Sequence, residues 1–130
     1  MSDLKNHILI VDDEFMIVQL LTFYVEDMGF VVCGSAATAD AAVALAQEHR
    51  PAVVLMDMRL KGQKDGVDAA LAIHDTVGSK VIFITGSSEP STRDRIALDH
   101  PSSILIKPVT EHQLRDAIDK ALAIVAVTPA

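Results

Sequence analysis

The 130-residue sequence has little that is basic and almost no sulfur chemistry: 11 lysines and arginines stand against 18 aspartates and glutamates, with a single cysteine. One cysteine excludes a disulfide framework and a cysteine-based zinc site. Cys33 lies in the apolar run Phe30 to Cys33, so it reads as a small buried hydrophobe rather than a reactive thiol. The formal net charge is −7, and neither a basic run nor an aromatic-rich basic face is present. A nucleic-acid partner is therefore not expected. No apolar run approaches the ~18 residues needed to cross a bilayer, and no membrane partner is expected. The only candidate signal segment, Ile8 to Val11, is too short and closes on Asp12-Asp13-Glu14. Internal repeats and low-complexity linkers are also lacking. The expectation is one cytoplasmic domain over residues 1–130, large enough for a single core.

What is present is a set of short, fully apolar runs that end on polar groups. Ile8-Leu9-Ile10-Val11 ends on Asp12 and Asp13, and Val53-Val54-Leu55-Met56 ends on Asp57. Val81-Ile82-Phe83-Ile84 ends on Thr85-Gly86, and Ser103 to Ile106 is followed by Lys107-Pro108. Runs without polar alternation read as strands covered on both faces. Phe30 to Cys33 is a further short strand.

Helical spacing separates the runs. Ile17, Leu20, Leu21, Tyr24, Val25 and Met28 form one face, stopped by Gly29. Thr38 caps an alanine-rich helix to about His49, with Ala42, Val43 and Ala46 inward. A helix from about Val67 to Thr76 turns Val67, Ala70, Leu71 and His74 inward. A polar, weakly amphipathic segment spans about Thr92 to Asp99. A last helix opens with the capping-box spacing of Thr110 and Gln113, and its stripe is Leu114, Ile118, Ala121, Leu122 and Val125. Five strand-helix units in strict alternation predict an α/β fold, a doubly wound five-stranded parallel sheet with helices on both faces.

In such a sheet the carboxyl ends of the strands share one edge, where ligands bind. Asp12, Asp13, Asp57, Thr85 and Lys107 all fall at strand ends, so they can converge although scattered in sequence. Three carboxylates together repel one another unless a cation offsets the charge. Hard oxygen donors point to Mg2+, since softer metals would find no histidine or cysteine ligands here. A carboxylate nucleophile, a cation, a lysine and a hydroxyl are what phosphoryl transfer to aspartate requires. The expected product is an aspartyl phosphate on Asp57.

Ile8-Leu9-Ile10-Val11-Asp12-Asp13-Glu14, Met56-Asp57-Met58, Asp65-Gly66, Ile84-Thr85-Gly86 and Lys107-Pro108 together resemble the receiver domain of two-component response regulators, over nearly the whole chain. The resemblance implies a flavodoxin-like sheet of order 2-1-3-4-5. It implies that Asp57 takes its phosphoryl group from a histidine kinase or histidine phosphotransfer protein and thereby changes affinity for a downstream protein. It also implies that Asp13, Asp57 and the backbone carbonyl of Arg59 hold magnesium, with Asp12 acting mostly through water. Thr85 and Lys107 would bind the phosphoryl oxygens, and the Lys107-Pro108 bond would be cis. No output domain is expected, no turnover of external substrates is expected, and homodimer formation stays open.

Three positions depart from the family pattern. Ile104 stands where a switch aromatic is common, so coupling is expected through the Thr85 to Ser91 loop and the polar helix after it. Phe83-Ile84-Thr85-Gly86 partly resembles a subgroup signature, but Ser88 stands at that subgroup's tyrosine. The loop between Asp57 and Gly66 is one residue longer than usual, has Lys61 in place of proline, and brings Arg59 within reach of a phosphoryl group.

Plainer readings exist for each residue. Asp12 and Asp13 could only cap the first helix, which would leave Asp57 and Lys107 unexplained. Thr85 and Lys107 taken singly read as a strand-end hydroxyl and a solvated lysine, and only their common location raises them. The histidines show no ligand spacing and read as solvent-facing or locally satisfied. Two other functions stay open: an aspartate-nucleophile phosphatase, which shares the chemistry and whose general acid would stand where Arg59 is, and a docking module with the receiver fold that is never phosphorylated.

Overall fold

In the computed structural model, residues 6–86 and 89–126 are described, with side chains to residue 123. They form five strands and five helices in alternation: β1 (His7–Val11), α1 (Phe15–Asp27), β2 (Val31–Ala36), α2 (Ala39–His49), β3 (Val53–Met56), α3 (Gly66–Thr76), β4 (Lys80–Thr85), α4 (Pro90–Ala97), β5 (Ser103–Ile106) and α5 (Glu111–Ala126). All neighbouring strands run parallel, in the order β2-β1-β3-β4-β5. Ser88 and the side chain of Val125 lie outside what is described.

Side chains alternate across a strand, so each inner strand feeds two cores. Leu9, Val11, Val54, Met56, Val81 and Phe83 pack with α2, α3 and Ile96 of α4 on one face. Ile8, Ile10, Val53, Leu55, Ile82 and Ile84 pack with α1 and α5 on the other. Burial on both sides is why these strands read as unbroken apolar runs. The doubly wound, flavodoxin-like fold matches the sequence reading.

Four details differ from that reading. β2 begins at Val31 and runs on through Gly34 and Ser35 to Ala36, pairing with β1 as far as Val11. As an edge strand it is partly exposed, and its small residues look like loop. In α3 the buried residues are Val67, Ala69, Ala70 and Ile73, while Leu71 is exposed and His74 half-buried. In α1 Leu20 is exposed, with Leu21 and Val25 buried. α4 starts at Pro90, a residue whose fixed φ and missing N–H suit the first helical turn.

Candidate functional site

The carboxyl ends of β1, β3, β4 and β5 open onto one cleft of about 760 Å³, walled by Asp13, Asp57, Arg59, Thr85, Glu89 and Lys107 among others. Asp57 is the first residue beyond β3, and its N–H donates to the Val11 carbonyl at 2.8 Å, extending the β1–β3 pairing by one step. Asp12 continues β1 in the same manner, donating to Ala36 at 3.0 Å. Its side chain accepts from the Glu14 N–H at 2.8 Å, so it does brace the entry to α1. That is half of its work.

The other half is Lys107. This residue follows β5, its N–H donates to the Thr85 carbonyl at 2.8 Å, and the Lys107–Pro108 bond after it is cis, as expected. Its Nζ donates to Asp12 Oδ2 at 2.9 Å and lies 3.5 Å from Asp57 Oδ2 and 3.7 Å from Glu14 Oε1. Asp12, Asp13 and Asp57 each offer one carboxylate oxygen within 4.8 Å of the others. All five residues singled out by strand-end position thus meet on this rim, with Asp12, Asp57 and Thr85 buried. Arg59 is exposed at the mouth.

Crowding and burial shape the charges. Asp57 is pushed up to about 6, first by burial and then by the Asp12 charge, against the pull of Lys107 and the Arg59 backbone N–H. Burial pushes the Lys107 ammonium down, but Asp12, Asp57 and Glu14 outweigh it and hold its pKa above the ordinary lysine value. One lysine does not balance three acids. The pocket therefore favours an added cation, and the side chains of Asp12, Asp13 and Asp57 offer it carboxylate oxygens, which suit a hard divalent ion such as magnesium.

Two neighbours had a weaker sequence signal. Gly66 opens α3 with its N–H donating to the Met58 carbonyl at 2.8 Å, and a Cβ there would collide with the Asp57 carbonyl oxygen. Asp65 and Asp68 form a reciprocal capping box at the start of α3, each side chain accepting from the other's backbone N–H. The Asp-x-x-Asp spacing could have been read as this cap. Glu89, on the cleft wall ahead of α4, had no sequence signal.

The family model for the response regulator receiver domain matches residues 8–119. The chain belongs to this family. Among curated relatives, the receiver is 29% identical over 118 residues to the transcriptional regulatory protein PdtaR of Mycobacterium tuberculosis, covering 91% of this chain and 57% of that protein. It is 34% identical over 123 residues to the phyllosphere-induced regulator PhyR of Methylorubrum extorquens, covering 93% and 45%. The chain thus spans about half the length of these relatives. Among solved structures, the signal receiver domain of a modulated diguanylate cyclase from Desulfovibrio desulfuricans superposes with a TM-score of 0.89 at 30% identity, covering 95% of this chain and 98% of that one. The N-terminal domain of a three-domain response regulator from Carboxydothermus hydrogenoformans gives a TM-score of 0.83 at 30% identity, covering 92% and 96%. Receiver domains bind Mg2+ at an acidic pocket, and the cluster of Asp12, Asp13 and Asp57 is such a pocket. Among the described residues no helix is long and apolar enough to cross a membrane.

Proposed function

We propose that this receiver accepts a phosphoryl group on Asp57 from a phosphohistidine of a histidine kinase or histidine phosphotransfer protein, and that the aspartyl phosphate changes its affinity for a downstream protein. The observation that carries this reading is Lys107 Nζ, held 2.9 Å from Asp12 and 3.5 Å from Asp57. A carboxylate oxygen of Asp57 attacks phosphorus, an O–P bond forms, the P–N bond breaks, and the imidazole leaves and takes up a proton. Lys107 sits where it can shift toward the incoming phosphoryl oxygens, whose negative charge a fixed ammonium stabilises. Thr85, on the wall of the same cleft, supplies a hydroxyl to the same oxygens. Asp13, Asp57 and the Arg59 backbone carbonyl are the residues that would hold magnesium, with Asp12 contributing through water. Bound there, the ion would add positive charge to the phosphoryl oxygens and offset the carboxylate repulsion.

An aspartate-nucleophile phosphatase is the less favoured reading. It needs an acid near the nucleophile to protonate the leaving group, and two residues on from Asp57 stands Arg59 at the cleft mouth. The test is incubation with magnesium and acetyl phosphate, followed by intact mass. An adduct that is stable in acid, labile in base and lost in Asp57→Asn is expected. No adduct with any small phosphodonor or phosphohistidine donor would defeat the proposal.

A further inference from the structure

α4 is the least buried helix beside the cleft, with Ile96 as its only buried residue. Two charged links join it and the turn after it to α3. The Arg95 guanidinium makes a fork to Asp65, Nε to Oδ2 at 3.0 Å and Nη2 to Oδ1 at 3.1 Å, and Nη2 also reaches Asp68 Oδ1 at 3.0 Å. One turn further on, Asp99 has a fully buried side chain, and His74 Nδ1 of α3 lies 2.8 Å from its Oδ1. The His74 contact is close but lacks hydrogen-bond alignment. A bidentate, partly buried arginine fork is the stronger of the two.

The acidic end of that fork is the start of α3, which closes the loop that follows Asp57. Asp65 directly precedes Gly66, which is pinned to the Met58 carbonyl at 2.8 Å and pressed against the Asp57 backbone. A shift of the Asp57 to Met58 backbone therefore moves Asp65, and Arg95 must follow or let go. The other end of α4 is also tied to the cleft, because Glu89, its N-cap residue, lines it. Ile104, in contrast, is an aliphatic residue packed partly buried into the α2–α3 core.

We propose that the Arg95 fork to Asp65 and Asp68 is the relay by which the phosphorylation state of Asp57 sets the placement of α4, with His74–Asp99 as a second hold at the helix's far end. The relay rests on the reading of Asp57 as phosphoryl acceptor. A phosphoryl group brings about −1.5 to −2 charge to the cleft, and a helix that buries one apolar side chain and carries a charged fork responds to that more readily than one buried along its length. Arg95 is here a positioning residue that touches no phosphoryl oxygen.

Amide hydrogen exchange of residues 90–97, with and without magnesium and beryllium fluoride, tests it in the wild type, Arg95→Gln, Arg95→Lys and Ile104→Ala. Without ligand, exchange in α4 should rise about two- to fivefold in Arg95→Gln and less in Arg95→Lys, while α5 stays as in the wild type. With ligand, the wild type and Ile104→Ala should change α4 protection by threefold or more, and Arg95→Gln should lose that response. Intact mass after acetyl phosphate reports the acceptor reaction separately. Full adduct in every protein with an unaltered α4 response in Arg95→Gln overturns the relay alone. Loss of the response in Ile104→Ala but not in Arg95→Gln does so too. No adduct in the wild type removes the acceptor reading and the relay with it.

Discussion

α4 and α5 flank the same strand, β5, yet they are attached by different physics. α5 buries Leu114, Ala117, Ile118 and Ala121 against the sheet, and its start is closed by Thr110 and Gln113, each bonding the other's backbone N–H. α4 buries Ile96 alone and carries the Arg95 fork, with Asp99 beyond its end. Full burial of one large aliphatic side chain is worth about 1.5–3 kcal/mol, so α5 carries several times the apolar anchorage of α4. Apolar contacts are indifferent to charge arriving in the cleft, whereas an ion pair is not. The helix on ionic links is the one suited to report on Asp57, and the helix on apolar links is suited to hold Lys107 in place while it does.

The contrast can be broken at its strongest point first. Leu114→Ala should cost about 2–5 kcal/mol of stability in urea unfolding, because it empties a fully buried site in α5. A loss below 1 kcal/mol would mean that α5 is not the rigid element described. Gly66→Ala comes next, at about 1–3 kcal/mol, since the added carbon meets the Asp57 backbone and the loop must shift. Its phosphoryl-acceptor rate should fall with its stability, and an unchanged rate would separate the loop from the nucleophile.

Asp57→Asn should act in the opposite direction. The folded pKa of Asp57, about 6, lies above its unfolded value, so between roughly pH 4 and 6 the folded protein binds more protons than the unfolded chain. Stability of the metal-free protein from this group is therefore greatest at low pH and is lost as pH rises through 6. Removing the charge should stabilise the metal-free protein by on the order of 1–2 kcal/mol at pH 7.5, and much less at pH 4. Equal stabilisation at both pH values would show that charge is not the cause. Arg95→Gln should be the mildest, about 0.5–1 kcal/mol in low salt for a partly exposed pair, shrinking as salt is added. A salt-independent loss would assign Arg95 a packing role instead.

Much of this was legible in the sequence. The inner strands announce themselves because burial on both faces forbids polar residues, and the carboxyl-end rule then gathers Asp12, Asp13, Asp57, Thr85 and Lys107 on one rim. The edge strand β2 was harder, since one side meets solvent and Gly34-Ser35 resembles loop. The inward face of α3 was misjudged because its sequence is apolar enough to admit two helical phases, and packing on α2 and the sheet selects Ala69 and Ile73 over Leu71 and His74. The links to α4 were not legible at all. Arg95 meets Asp65 and Asp68 across separations of 30 and 27 residues, and His74 meets Asp99, with no periodic or spacing signature to reveal either.

The central claim is that Asp57 and Lys107 act on one phosphoryl group. A crystal structure with magnesium and beryllium fluoride measures it most directly. The expected result is beryllium bonded to an Asp57 oxygen, with Lys107 Nζ and Thr85 Oγ1 within hydrogen-bond distance of its fluorines. Beryllium fluoride bound elsewhere, or Lys107 still paired with Asp12 and turned from the fluorines, would contradict it.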